Sequence, residues 1–293
     1  MKKFLILFAF VLLAGSSCNE WLDVNTDPNN PTEVPADLVL PNAQMQIAGS
    51  VGGDYAILGG IWSQHWTQSH IASQYKDIDS YDLTDKDFEI DWSELYSDAL
   101  VDLAEIKTKS SAAGEWNSYL QATCLEAYTY QILADLYDKV PCKEAVQGSA
   151  NLTPKFDDGE AIYDELFTRI NAALAKDFNA ATVVKVTSDL IFGSQDKSGQ
   201  IDSWKRFANT LKLKMLLRQT ESSRAADATQ KINNMLSSGT AFLTGHAAIS
   251  IFIDDANRSN PLYENNVRQL NVATNIRASY TLMSLLQANN DPR

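Results

Sequence analysis

Apolar residues recur at helical spacing along most of the chain beyond residue 37. Between about residues 91 and 108, Trp92, Tyr96, Ala99 and Leu103 are spaced by four, three and four positions, which places them on one face of an α-helix. The same kind of stripe recurs in three later segments, at about 115–138, 162–174 and 202–221. The pattern therefore predicts a succession of amphipathic helices.

Turn and capping residues set the expected boundaries of these helices. Gly52-Gly53-Asp54 divides the segment from Leu38 to about Ser69 into two helices. Asp157 followed by Glu160 resembles a capping box at the start of a later helix. A short helix is expected near 225–236, and a last one begins around 273 or 277. The alternating, β-branched stretch 247–254 is the best candidate for a strand.

These elements predict a mostly all-α fold of helix pairs joined by short turns and a few long loops. An amphipathic helix pair cannot bury its apolar face alone and has to stack on neighbouring pairs. No strict tetratricopeptide consensus recurs at a period of about 34 residues. We therefore expect a degenerate, tetratricopeptide-like scaffold with little strand.

The first 37 residues have a different character. Two lysines are followed by an apolar run from Phe4 to Leu13, which is too short for a membrane span of about 20 residues. Small residues then lead directly to Cys18, an order that resembles a lipobox and implies cleavage before Cys18 and its lipidation. An ordinary signal peptide with a chance cysteine is the alternative. We predict a signal peptide over 1–17, a lipidated tether over 18–37 and a helical domain over 38–293.

Composition narrows the classes of partner and chemistry. The formal net charge of −13 disfavours binding to nucleic acid or to an anionic lipid surface. Neither a Cys-X-X-Cys motif nor histidines at metal-ligand spacing are present. The usual hydrolase, metalloprotease and phosphate-binding motifs are absent as well. We expect a protein that is not an enzyme and that uses no metal and no cofactor.

The densest mixture of aromatic and polar side chains lies at 61–88. Sugar recognition needs flat apolar surface for the pyranose ring and fixed polar groups for its hydroxyls. Trp62 and Trp66 are expected on one helix face, where core packing is the favoured interpretation. Tyr75 and Tyr81 are expected to be exposed in the following loop. The predicted ligand contacts are Trp66, Gln68, Tyr75 and Tyr81.

Four segments, in order along the chain, resemble the SusD/RagB family. They are CNEWLDVNTDPNNPTE at the predicted anchor, LADLYDKVPCKEAVQG at 133–148, TPKFDDGEAIYDELFTRINAAL at 153–174 and DLIFGSQDKSGQIDSWKRFANTLKLKMLLR at 189–218. Cys142 departs from the pattern, because the family usually has an aromatic residue there.

The resemblance implies both a fold and a role. Members of this family are outer-membrane lipoproteins with a tetratricopeptide-like scaffold that faces the cell exterior. They bind nutrients, usually oligosaccharides, and associate with a SusC-like TonB-dependent transporter. The family usually continues beyond the segment that SYTLMSLLQANNDPR resembles. The sequence is therefore expected to be truncated, with an apolar face exposed on its last helix.

Two other functions are compatible with a lipid-anchored helical chain. One is a protein–protein adaptor without a small ligand, which would be favoured if every aromatic side chain of 61–88 were buried. The other is a solute-binding lipoprotein that serves an ABC importer. The importer function is disfavoured because it calls for two lobes of alternating strands and helices.

We predict that Cys18 carries lipid. Metabolic labelling with an alkyne fatty acid should mark the wild-type protein, and Cys18→Ala should abolish the label because the acceptor thiol is gone. Equal labelling of the two proteins would contradict the prediction.

Overall fold

Helices dominate the computed structural model, which describes residues 36–84, 86–268 and 274–293. In chain order they are α1 (Ala36–Gly52), α2 (Asp54–Trp62), α3 (Lys76–Asp79), α4 (Glu89–Glu94), α5 (Val101–Ala113), α6 (Trp116–Tyr137), α7 (Gly159–Leu174), α8 (Lys197–Arg218), α9 (Ala225–Ser237), α10 (Pro261–Tyr263) and α11 (Tyr280–Ala288). A π-helical segment, Leu95–Leu100, joins α4 to α5, and another, Glu264–Arg268, follows α10. Two short strands are β1 (Trp66–Gln68) and β2 (Ile276–Ala278).

The predicted all-α class is confirmed, since 58% of the described residues are helical. Several local predictions are wrong. The stretch 247–254 forms no strand, and Ala247, Ile249 and Phe252 instead line a cavity of about 420 Å³ against α1, α6 and α8. The helix predicted to reach Ser69 ends at Trp62. No capping box forms at α7, because the carboxylate of Asp157 accepts hydrogen bonds from two backbone N–H groups of the preceding loop.

Helix α6 lies at the centre of the fold. Fourteen of its 22 residues are buried, and it contacts α1, α5, α7 and α8. Its start is set locally, because Gly114 ends α5 at a φ of +66° and the Glu115 carboxylate then accepts hydrogen bonds from the N–H groups of Asn117 and Ser118. The result is a tight antiparallel turn between α5 and α6.

A buried ion-pair network ties α6 to both of its helical neighbours. Glu126 of α6 is 4% exposed and bonds Lys107 of α5 at 2.6 Å and Arg169 of α7 at 3.1 Å. Arg169 also bonds Glu165 at 2.8 Å. Because a buried carboxylate is costly unless it is paired, this network specifies how the three helices pack.

A second buried carboxylate connects α1 to α8. Asp189 is 5% exposed and accepts hydrogen bonds from Gln44 (2.8 Å), Trp204 (2.8 Å), Gln200 (3.0 Å) and the backbone N–H of Ile191 (2.9 Å). All four donors are uncharged. The carboxylate is therefore held by hydrogen bonds alone, within a cluster that includes the fully buried ring of Trp204.

Helix α11 lies apart from this core. None of its residues is buried, and Tyr280, Leu285 and Met283 are 87%, 60% and 40% exposed. The apolar exposure expected for the last helix is therefore present. The predicted signal peptide and Cys18 lie outside the described residues, as does most of the predicted tether.

Asp189→Ala should destabilise the fold by about 3–5 kcal/mol, because it leaves several buried donors without an acceptor. The free energy of unfolding, measured by urea titration with far-UV circular dichroism, tests this. Asp202→Ala is the matched control, since Asp202 lies exposed on α8 and pairs only with Arg206. The control should change stability by no more than about 0.5 kcal/mol. An Asp189→Ala effect of the same size as the control would contradict the prediction.

Candidate ligand-binding surface

A two-stranded pairing forms the base of the candidate site. Strands β1 and β2 are antiparallel, with Trp66 opposite Ala278 and Gln68 opposite Ile276. The pairing is extended at both ends, because Ser69 N–H donates to Asn275 O at 2.7 Å and Ser279 N–H donates to His65 O at 3.0 Å. Residues 64–69 are thus attached to a segment far along the chain, and the strands do not form a local hairpin.

Two aromatic rings are exposed beside this base. Trp62 ends α2 and is 45% exposed, and Tyr81 follows α3 and is 56% exposed. Their ring centroids are 5.4 Å apart with an interplanar angle of 43°. The indole N–H of Trp62 donates to Ile78 O at 3.0 Å, and the backbone N–H of Tyr81 donates to the same oxygen at 3.2 Å. One carbonyl oxygen therefore holds both members of the Trp62–Tyr81 pair.

Trp66 occupies a different environment from Trp62. Its ring lies so close to Gly60 that a Cβ at that position would be 2.2 Å from a ring carbon, so the glycine is required for this approach. The half-buried ring packs on a small cluster with Ile57 and Ile61. The prediction that Trp62 and Trp66 share a helix face is wrong, because the helix has ended and Gln64 adopts a φ of +58° between them.

Tyr75 is buried, so its predicted exposure in the loop is wrong. It is 7% exposed, packs in the cluster of Ile57 and Ile61, and donates its hydroxyl to Asn265 O at 3.4 Å. Burial raises the pKa of Tyr75 to about 12, and the nearby Asp54 carboxylate adds to the shift. The side chain thus serves as a neutral packing group beneath the surface.

Gln68 makes internal hydrogen bonds through both ends of its amide. Its Oε1 accepts from the backbone N–H of Tyr75 at 2.6 Å, and its Nε2 donates to Asn275 Oδ1 at 2.6 Å. Among the four residues predicted as ligand contacts, Tyr81 is thus the one whose side chain is mostly exposed. Trp62, which the sequence assigned to the core, joins it at the surface.

Hydroxyl, imidazole and carboxylate groups surround the pair. Ser63 Oγ and His65 Nδ1 are 2.6 Å apart at the end of α2, and both residues are exposed. The hydroxyl of Thr67 donates to both carboxylate oxygens of Asp79 at 3.2 Å. Exposed Asp77 and Asp82 lie on either side of Asp79 in sequence. The surface therefore offers partners for hydroxyl groups, whereas its negative charge disfavours anions.

Comparison with known proteins reveals the family. A model of SusD-like proteins, described as "starch-binding associating with outer membrane", matches residues 28–293. The chain belongs to the SusD-like family. A search of curated proteins finds no match for it.

Solved structures of SusD-like proteins have a similar fold. A Bacteroidetes AC2a SusD-like protein is 22% identical and matches 89% of this chain and 50% of its own, with a TM-score of 0.70. A chitin-binding SusD homologue from Flavobacterium johnsoniae is 18% identical and matches 86% of this chain and 52% of its own, with a TM-score of 0.65. A SusD-like protein from Bacteroides thetaiotaomicron is 20% identical, with a TM-score of 0.62. The match covers 88% of this chain and 52% of that protein.

This SusD-like chain spans about half the length of the solved structures that it matches. Within the described residues, no helix has both the length and the apolarity needed to cross a bilayer. No three potential metal ligands among histidine, cysteine, aspartate and glutamate cluster together in that part of the chain. Cys124 and Cys142 are buried, unpaired thiols.

A third buried acid, Asp91, lies close to the start of α2. Asp91 of α4 is 5% exposed, and burial raises its pKa to about 6, with the carboxylate of Asp54 at the start of α2 adding to the shift. The folded protein therefore binds the Asp91 proton more tightly than the unfolded chain, whose ordinary value is 3.8. The proton on Asp91 therefore adds to the free energy of unfolding. This contribution is complete below about pH 4 and is lost as the pH rises through 6.

Asp91→Asn should stabilise the protein at pH 7 by on the order of 2 kcal/mol, because the amide carries no charge to desolvate. The gain over wild type should shrink as the pH is lowered from 7 to 4.5. Urea unfolding at a series of pH values measures it, with Glu89→Gln, which changes an exposed acid at the start of the same helix, as the control. A pH-independent difference between Asp91→Asn and wild type would be inconsistent with this account.

Proposed function

We propose that this SusD-like chain binds a neutral oligosaccharide, with the Trp62–Tyr81 pair as its aromatic platform. The observation that carries the proposal is the exposure of two adjoining rings on a surface that otherwise displays hydroxyl and carboxylate groups. Aromatic faces contribute large contact area at a small entropic cost, and the surrounding polar groups match a hydroxyl-rich ligand. The acidic surroundings favour a neutral glycan over a sulfated or otherwise anionic one.

The family and the similar structures support a glycan ligand, but they point to two different polymers. The matching family is described as starch-binding, and two of the similar structures are of chitin-binding proteins. Both polymers are neutral or nearly so, and they differ in linkage and in N-acetylation. We therefore propose that maltooligosaccharides and chitooligosaccharides are the first ligands to screen.

The cellular role that we propose follows the family. Lipidated at Cys18, the protein is held on the outer membrane facing the cell exterior and passes its ligand to a SusC-like TonB-dependent transporter. It acts as a binding protein and performs no chemistry on the glycan. The adaptor alternative called for every aromatic side chain of 61–88 to be buried, and the exposure of Trp62 and Tyr81 argues against it.

Removing either ring should weaken binding without unfolding the protein. Losing one exposed stacking contact is worth roughly 0.5–1.5 kcal/mol, so Trp62→Ala and Tyr81→Ala should each raise the Kd about threefold to tenfold. Isothermal titration calorimetry with the best oligosaccharide from the screen measures this change. Phe156→Ala removes an exposed ring from the loop before α7 and should leave the Kd unchanged.

Tyr75→Ala provides a complementary control. Because Tyr75 is buried beneath the pair, this change should lower the melting temperature, whereas Trp62→Ala and Tyr81→Ala should leave it nearly unchanged. An unchanged Kd in a folded Trp62→Ala, Tyr81→Ala double variant would exclude the pair from the site. The absence of binding across the screen would favour the adaptor function.

A further inference from the structure

The two ends of the Gln68 amide connect two separate parts of the candidate site. Its Oε1 accepts from Tyr75 N–H at 2.6 Å, whereas its Nε2 donates to Asn275 at 2.6 Å for Oδ1 and 3.2 Å for the backbone oxygen. Asn275 is fully buried, and Gln68 itself is half-buried. The side chain therefore has its hydrogen-bonding groups committed inside the protein, below the exposed rings.

The bond to Tyr75 acts on the start of α3. Tyr75 is the residue immediately before this single helical turn, and its ring is buried against Ile57 and Ile61 of α2. Gln68 thus fixes the backbone at the position from which α3 departs. The side chain of Tyr75 fixes the same position from the opposite side, through apolar packing.

The end of α3 in turn positions both rings of the platform. Ile78 lies three residues beyond Tyr75, and its carbonyl oxygen accepts from the Trp62 indole at 3.0 Å and from Tyr81 N–H at 3.2 Å. A displacement of α3 would therefore move this acceptor and alter the contact between the two rings. A continuous path of hydrogen bonds and backbone runs from Gln68 to the surface.

We propose that Gln68 is a positioning residue for the Trp62–Tyr81 pair, acting through Tyr75 N–H and the α3 turn. The consequence for ligand affinity rests on the proposed function, whereas the consequence for ring geometry does not. The experiment can therefore separate the two.

The test uses the whole chain labelled with 5-fluorotryptophan, which reports on each of the six tryptophans by ¹⁹F NMR. Trp62→Phe assigns the Trp62 resonance. Gln68→Met, which has a similar length but no acceptor for Tyr75 N–H, should shift or broaden that resonance and leave the Trp204 resonance in the core unchanged. It should also raise the Kd at least threefold for any maltooligosaccharide or chitooligosaccharide that binds the wild type.

Two further variants test the path. Gln68→Glu keeps an acceptor for Tyr75 N–H and should retain a wild-type Trp62 resonance, although it loses the donor to Asn275. Gln74→Met changes an exposed glutamine in the same loop and should alter neither resonance. If Gln68→Met does not fold, Gln68→Asn replaces it, since its carbonyl falls short of Tyr75 N–H by about 1.5 Å.

The outcomes decide the inference independently of ligand binding. A folded Gln68→Met protein with a lower melting temperature but an unchanged Trp62 resonance would reduce Gln68 to a purely structural role and overturn the proposal. A perturbed Trp62 resonance in a protein whose wild type binds no oligosaccharide would support the positioning path and count against the proposed function alone.

Discussion

The burial of the Asp189 carboxylate is the constraint on which the helical body depends. An unpaired carboxylate inside a protein is tolerated only where donors surround it, and here they come from α1, from α8 and from the turn that contains Asp189 itself. Gln200 also accepts a hydrogen bond from Asn117 of α6 at 2.9 Å. The network therefore specifies how α1 and α8 lie against the central helix α6. Because α1 leads directly into α2, it also positions the helix that ends at Trp62.

The candidate site is built on a second, smaller cluster beside this body. Ile57, Ile61 and Tyr75 form its buried part, and Trp66 packs against it. The cluster forms a packed base, and the exposed rings lie at the ends of α2 and α3 beside it. This arrangement agrees with the general tendency of binding residues to lie at the ends of elements held by a packed scaffold.

The site also depends on a pairing between distant segments. Strand β2 and its flanking residues bond to 64–69 along their length. A three-residue strand pair is marginal by itself, so the side-chain amides of Gln68 and Asn275 and the packing of Tyr75 have to supplement it. The platform is consequently a tertiary feature to which three separated stretches of the chain contribute.

The sequence alone determined the helical character of the chain and the order of its main helices, because apolar stripes at a spacing of 3–4 residues are a local property. It also carried the motifs by which the SusD-like family could be recognised, and it located the binding candidate within 61–88.

Only the tertiary structure decided which aromatic side chains of that segment are exposed. The end of α2 at Trp62 follows from a non-glycine residue, Gln64, at positive φ, for which the sequence has no signal. The burial of Tyr75 and the internal bonds of Gln68 require Asn265 and Asn275, which no local pattern connects to them. The wrong strand prediction for 247–254 has the same cause. The apolar and polar residues of this stretch alternate as in a strand, but no partner strand lies beside it among the described residues.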